Sequence, residues 1–162
     1  MISITNSMAV NKKEKKLFLW VCFIAYLLLL GYLVFLSSYM GREGHDTYRY
    51  NLIFLQEIGR FYYYGIRTGE WDLFLLNVCG NVAVFMPIGA FLPKLAKRCR
   101  NIFLTTLLSF ELTWSIEIVQ LVTKVGSFDV DDIFLNTLGG IIGYLLYMMC
   151  HGMKQWFSKK KQ

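Results

Sequence analysis

Residues Glu111–Gly143 read ELTWSIEIVQLVTKVGSFDVDDIFLNTLGGIIG. Two apolar runs of helical character flank a short connection. Both runs carry groups that hydrocarbon does not solvate: Glu111, Glu117 and Gln120 in the first, Asn136 in the second. Three aspartates, Asp129, Asp131 and Asp132, sit where the second run begins. An intramembrane carboxylate is costly, and where it occurs it marks a functional site by default. The short connection Thr123–Phe128 makes the two helices antiparallel neighbours. Gly139-x-x-x-Gly143, with Gly140 beside it, lets another helix approach closely.

The rest of the chain fits the same reading. Its 162 residues are enough for one domain and are 56% hydrophobic but only 17% charged, too apolar for an ordinary soluble domain. Four stretches approach or exceed the ~20 residues that cross a bilayer. They are Leu17–Ser38, Leu73–Leu92, Ile102–Val122 and Ile133–Cys150. The first has a basic flank but is longer than a signal-peptide core and lacks an A-x-A site, so it reads as a permanent anchor. The expected fold is all-α: a polytopic membrane bundle of four transmembrane helices over residues 17–150. Residues 1–16 and 151–162 form basic tails.

Charge gives the bundle a direction. Lys12, Lys13, Lys15 and Lys16 precede the first span. Lys94, Lys97, Arg98 and Arg100 lie between the second and third, and Lys154, Lys159, Lys160 and Lys161 follow the fourth. These 12 of the 17 basic residues face a single acid, Glu14, a balance of +11. The alternate connections hold Arg42, Arg49, Arg60, Arg67 and Lys124 against eight acids, a balance of −3. Glu111 and Glu117, within the spans, complete the net +6. The positive-inside rule then places both termini in the cytoplasm. The basic runs flank spans as topology signals do, so no nucleic-acid partner is expected. The four cysteines form no C-x-x-C pair, and His45 and His151 are isolated in sequence, so no metal site is expected. No cofactor is assigned.

The long outer connection Tyr39–Asp72 places Leu52, Leu55, Ile58 and Tyr62 at helical spacing and adds Tyr63, Tyr64 and Trp71. This predicts an interfacial helix on or dipping into the outer leaflet, either as an anchor or as a lid over a site below it. In the second span Asn77 and Asn81 share a face, and Pro87 removes a backbone donor. At a rise of ~1.5 Å per residue, Glu117 lies about 7 Å, Asn136 about 6 Å and Asn81 about 12 Å below the outer ends of their helices. Glu117 shares a face with Gln120, and Asp132 with Asn136. One polar cluster in the outer half of the membrane follows if those faces point inward. Glu111 lies deeper, with Ser115 one turn away as its expected partner.

Each group also has a structural explanation. Asp129-x-x-Asp132 fits a variant capping box. The amides can serve as interhelical hydrogen-bond partners. The cluster as a whole exceeds what packing requires. Its candidate ligand-binding residues are Arg49, Asn51, Asn77, Asn81, Glu117, Gln120, Asp129, Asp132 and Asn136. Glu117 and Asp132 are the candidate acid–base pair. With Asn136 or Asn81 they could instead hold a hard cation through oxygen ligands. Arg49 and Arg60 suit an anionic headgroup. The expected partners are membrane lipids.

Four segments in order resemble the VanZ-like membrane protein family: Arg49-Tyr-Asn-Leu-Ile-Phe54; Asn77-x-x-x-Asn81 through Phe85-Met-Pro-Ile-Gly89; Ser115-Ile-Glu-Ile-Val-Gln120; and Phe128-Asp-Val-Asp-Asp-Ile-Phe-Leu-Asn-Thr-Leu-Gly139. The last is distinctive alone, and the set covers about two thirds of the chain. The resemblance implies a Gram-positive-type envelope protein with a role in resistance to teicoplanin and related lipoglycopeptides. A lipid-linked cell-wall precursor or the lipoglycopeptide itself is the implied partner. The pattern departs at Gly126, where many members carry arginine; Lys124 is the nearby charge.

Overall fold

The computed structural model describes the backbone of residues 2–36 and 46–159. The expectations for Arg42, Glu43 and His45 fall outside the described residues. Among the described residues, five helices and one two-residue strand pair make up the fold. They are α1 (Ile2–Phe35), β1 (Tyr50–Asn51), α2 (Gln56–Thr68), α3 (Asp72–Leu95), α4 (Ile102–Thr123), β2 (Phe128–Asp129) and α5 (Val130–Lys159), with a 3₁₀ turn at Lys97–Arg100. Among the described residues, four segments are long and apolar enough to cross a membrane: Lys13–Phe35, Asp72–Leu95, Ile102–Thr123 and Val130–Met153. The fold is the expected all-α bundle.

Helix extends beyond the spans at both ends. Residues 2–16 are helical and continuous with the first span in α1, with no glycine or proline before Gly31 to stop the helix. α5 continues through Gly152 to Lys159. Pro87 and Pro93 both lie inside α3, which runs on through them. Pro87 leaves the Ala83 carbonyl without its helical donor. One residue further on, Tyr26 of α1 donates its hydroxyl to the Val84 carbonyl at 2.6 Å. Phe23 and Tyr26 also pack their rings on Phe91. The apolar core of the bundle is Leu30, Val34, Phe85, Ile88 and Ile116, from α1, α3 and α4.

The closest approach is between α3 and α5. A Cβ on Gly139 would overlap the Val82 carbonyl oxygen, one on Gly143 the Met86 carbonyl oxygen, and one on Gly89 the Gly140 carbonyl oxygen. The Gly-x-x-x-Gly of α5 therefore meets α3, with Gly89 as the reciprocal gap. Across the other face of α5, Gly140 lies against Ser109 of α4. Backbone contact at this distance gains dispersion energy that lipid tails do not supply. It also fixes the rotation of α5, and so the direction of Asp132 and Asn136.

The outer connection differs from its predicted form. α2 starts at Gln56, so Leu52 and Leu55 precede it, and Leu55 takes a left-handed conformation with φ 65°. The inward stripe of α2 is Ile58, Phe61 and Gly65, one position off the predicted spacing at its outer end. Gly65 is buried under the Trp71 ring. Tyr62, Tyr63, Tyr64 and Trp71 remain exposed, and Tyr62 packs on Tyr63 and on Trp71 at ring separations of 5.8 Å. Sequence periodicity gave no warning of β1 and β2. They pair in parallel, Tyr50 with Phe128 and Asn51 with Asp129, because the outer loop crosses the α4–α5 connection.

Candidate functional site

The α4–α5 connection is the organising centre of the site. α4 ends at Thr123, and Lys124 takes the left-handed cap conformation with φ 57°. Gly126 follows at φ 95° and is buried, a backbone state that glycine adopts without strain. Lys124 turns outward. Its ammonium donates to the Asp46 carbonyl at 3.0 Å and lies 4.8 Å from the centre of the Tyr48 ring. It therefore holds the outer loop and does not stand in the buried turn at Gly126.

Asp129 caps α5. Its Oδ1 accepts the Asp131 backbone N–H at 2.8 Å, satisfying one of the free donors of the first turn. The predicted capping box is completed differently. The Asp129 backbone N–H donates to Glu117 Oε2 at 2.9 Å, so α4 supplies the carboxylate that a box would draw from Asp132. That releases Asp132 to face α3, where Asn81 Nδ2 donates to its Oδ1 at 2.6 Å. The amide presents nitrogen to the carboxylate, unlike the oxygen-only cradle that a hard cation prefers.

Around this core the amides find helix partners. Asn136 Nδ2 donates to Thr113 Oγ1 at 2.9 Å, and Gln120 Nε2 donates to the Val34 carbonyl at 3.0 Å, tying α5 to α4 and α4 to α1. Asn51 Nδ2 donates to Asp129 Oδ1 at 3.1 Å, which joins the outer loop to the same network. The network is buried: Glu117 is 1% exposed, Gln120 0%, Asn136 5%, Asp129 7% and Asp132 8%.

Asp131 is the residue that pattern reading missed. It is fully buried, and its carboxylate accepts three backbone N–H groups at the start of α2. Leu55 N–H reaches Oδ1 at 2.5 Å, and Glu57 and Ile58 N–H reach Oδ2 at 2.9 and 3.2 Å. α2 has no side-chain cap of its own, because Leu55 occupies that position. Asp131 provides the cap from 76 residues away in sequence. The missing Ser, Thr, Asp or Asn before α2 was the only available signal. Buried Thr105, Ser109 and Thr113 were also overlooked, since single hydroxyls in an apolar run resemble ordinary packing.

A narrow cavity of about 10 Å³ lies between α1, α3, α4 and α5. Asn81, Glu117, Gln120 and Asn136 line it together with Val34, Phe85 and Ile116. Gln120 Oε1 and Asn136 Oδ1 are buried with no hydrogen-bond partner, and Asn77 Oδ1 is likewise unpartnered. The cavity has room for about one water, and polar lining makes a hydrated cavity favourable. It does not have room for a headgroup, so the polar cluster is a filled core rather than an open pocket.

The remaining predicted residues fall at the rim or elsewhere. Arg49 is exposed at the mouth of the loop, and its carbonyl accepts the Phe128 N–H at 3.0 Å. Arg60 pairs with Glu57 on α2. Glu111 does not join the cluster. It lies on the exposed face of α4 with Ser115, whose hydroxyl donates at 2.7 Å to the Glu111 backbone carbonyl and not to its carboxyl. The expected Glu111–Ser115 side-chain pair is therefore absent, because a serine in a helix reaches the carbonyl one turn back more readily.

Residues 23–151 match the profile of the VanZ/LLP1 family. No curated protein and no solved structure matches the chain. The matched region takes in the whole polar network, from Val34 through Asn136, together with all four candidate spans in large part. On that match the chain belongs to the VanZ/LLP1 family.

Proposed function

We propose that this protein acts at the outer leaflet of a bacterial cytoplasmic membrane, where it binds a lipid-linked envelope component or a lipoglycopeptide and contributes to teicoplanin resistance. The observation that carries the reading is the construction of the outer rim. Glu117, Asp129 and Asp131 hold β1, the start of α2 and the start of α5 in one network. Above it sit exposed Arg49, Tyr50, Phe54 and the α2 tyrosines. A guanidinium among aromatic rings suits an anionic amphiphile at a membrane surface. The filled interior favours binding at this rim over chemistry below it, since Glu117 and Asp132 already accept hydrogen bonds from Asp129 and Asn81.

The test is teicoplanin susceptibility at matched membrane abundance. Arg49→Gln is expected to lose resistance, while Glu117→Gln and Asp132→Asn retain it wherever the fold is retained. Carboxamide variants that fold normally yet lose all resistance would favour the enzymatic reading, with Glu117 and Asp132 as acid and base. Mass spectrometry of envelope lipids separates the two directly, because binding alone creates no new lipid species. Wild-type resistance on Arg49→Gln sinks the proposed rim.

A further inference from the structure

At the far end of the bundle, about 28 Å along α5 from Asp132, a second site is built. α3 stops there, α4 begins and α5 runs on, leaving a groove of about 320 Å³ lined by Lys94, Arg100, Tyr147, Cys150 and His151. Its basic groups are held by the fold. Arg100 donates Nε to the Pro93 carbonyl at 3.5 Å, and its own carbonyl accepts the Tyr144 hydroxyl at 2.7 Å. The His151 ring stacks on Tyr147 at 5.6 Å and 13°. No acid occurs between Leu73 and Phe110 or after Asp132. Among the described residues, neither Lys94 nor Arg100 has a carboxylate partner.

We propose that this groove binds the phosphate of an anionic membrane phospholipid. A phosphate diester matches a guanidinium bidentately and an ammonium as a point charge. The volume falls at the lower end of the ~300–1,000 Å³ typical of ligand sites. Basic pockets between spans, at the water boundary, commonly hold such headgroups. Lipid is favoured over free phosphate because an exposed apolar stripe, Leu146, Cys150 and Met153, runs along α5 beside the groove. That stripe gives an acyl chain a surface to follow.

Native mass spectrometry of the full chain in detergent tests the site. The probes are phosphatidylglycerol, phosphatidylcholine with the same acyl chains, and inorganic phosphate. Phosphatidylglycerol is expected to remain bound at energies that strip phosphatidylcholine. The double variant Lys94→Gln/Arg100→Gln is expected to weaken it at least about tenfold, the loss of one or more charge-assisted hydrogen bonds. Lys15→Gln/Lys16→Gln, which removes two charges from α1, is expected to leave binding unchanged. Arg100→Lys, which keeps the charge, guards against misfolding and is expected to restore part of the affinity to a Lys94-intact chain relative to Arg100→Gln. Equal retention of the two lipids overturns the proposal. So does equal weakening by the two double variants, or displacement of phosphatidylglycerol by equimolar inorganic phosphate.

Discussion

Asp131 illustrates how one buried carboxylate can hold an element that its own sequence cannot cap. Three N–H donors converge on it at the start of α2. Hydrogen bonds to a charged acceptor are each worth about 1.5–3 kcal/mol. Asp131→Asn keeps one acceptor oxygen but turns an amide nitrogen toward the remaining donors, so it is expected to destabilise the α2 start by about 3 kcal/mol. Faster amide hydrogen exchange confined to Leu55–Ile58 would register the loss; unchanged protection there would refute the cap. Asp129 carries a pH dependence. Burial pushes its carboxyl up to about 6, outweighing the Asp131 N–H and the Asn51 amide, which favour the ionised form. Its ordinary value is 3.8, so between about 4 and 6 the folded chain keeps a proton that the unfolded chain releases. The contribution is thus fully present below pH 4 and is lost as pH rises through 6. Tm in detergent should fall over that window in wild type by more than in Asp129→Asn; parallel curves would remove Asp129 as the source.

At the scale of elements, close packing of α3 on α5 is the feature least tolerant of change. A methyl group at Gly143 would overlap the Met86 carbonyl, whereas Gly31 and Gly152 have open space around the same position. Gly143→Ala is therefore expected to separate the helices and reduce folded protein sharply. Gly31→Ala and Gly152→Ala should be neutral or gain up to about 1 kcal/mol, the usual advantage of alanine inside a helix. Thermal unfolding of the three variants in one detergent checks this, and equal Tm values would contradict the packing. The Gly-x-x-x-Gly was legible in sequence because spacing on one helix is local information. Its partner was not, since no glycine stands four residues from Gly89 in α3. The same limit explains the site. Helical spacing correctly paired Glu117 with Gln120 and Asp132 with Asn136, and depth brought Asn81 level with them. It could not foresee that Glu117 would complete a cap on α5, or that β1 would pair with β2, because both depend on segments meeting across 12 to 78 residues. Glu111 stays apart from the cluster, as its depth implied, but the spacing that put Ser115 on its face did not foresee that the hydroxyl would reach the Glu111 backbone carbonyl instead of the carboxyl.

The whole molecule has a charge axis that its packing makes testable. Four crossings return the chain to its starting side, so both termini share one compartment if each candidate span crosses. The basic ends of α1, α3 and α5 lie together, and the acidic network with α2 lies at the other end. On the positive-inside rule, α2 is expected at the exterior. Arg67 on α2 and Lys97 in the 3₁₀ turn are exposed residues at opposite ends, which suits them to cysteine substitution. In intact cells, a membrane-impermeant maleimide should label Arg67→Cys at once and Lys97→Cys only after permeabilisation. Native Cys99 and Cys150 lie at the same end as Lys97 and should add no background in intact cells. The opposite labelling pattern would place the aromatic rim and Arg49 in the cytoplasm, out of reach of an extracellular lipoglycopeptide. It would also carry the basic groove to the outer leaflet, where its chemistry would persist but its lipid supply would change. Labelling of both sites in intact cells would mean that α3, the one candidate span between Arg67 and Lys97, does not cross.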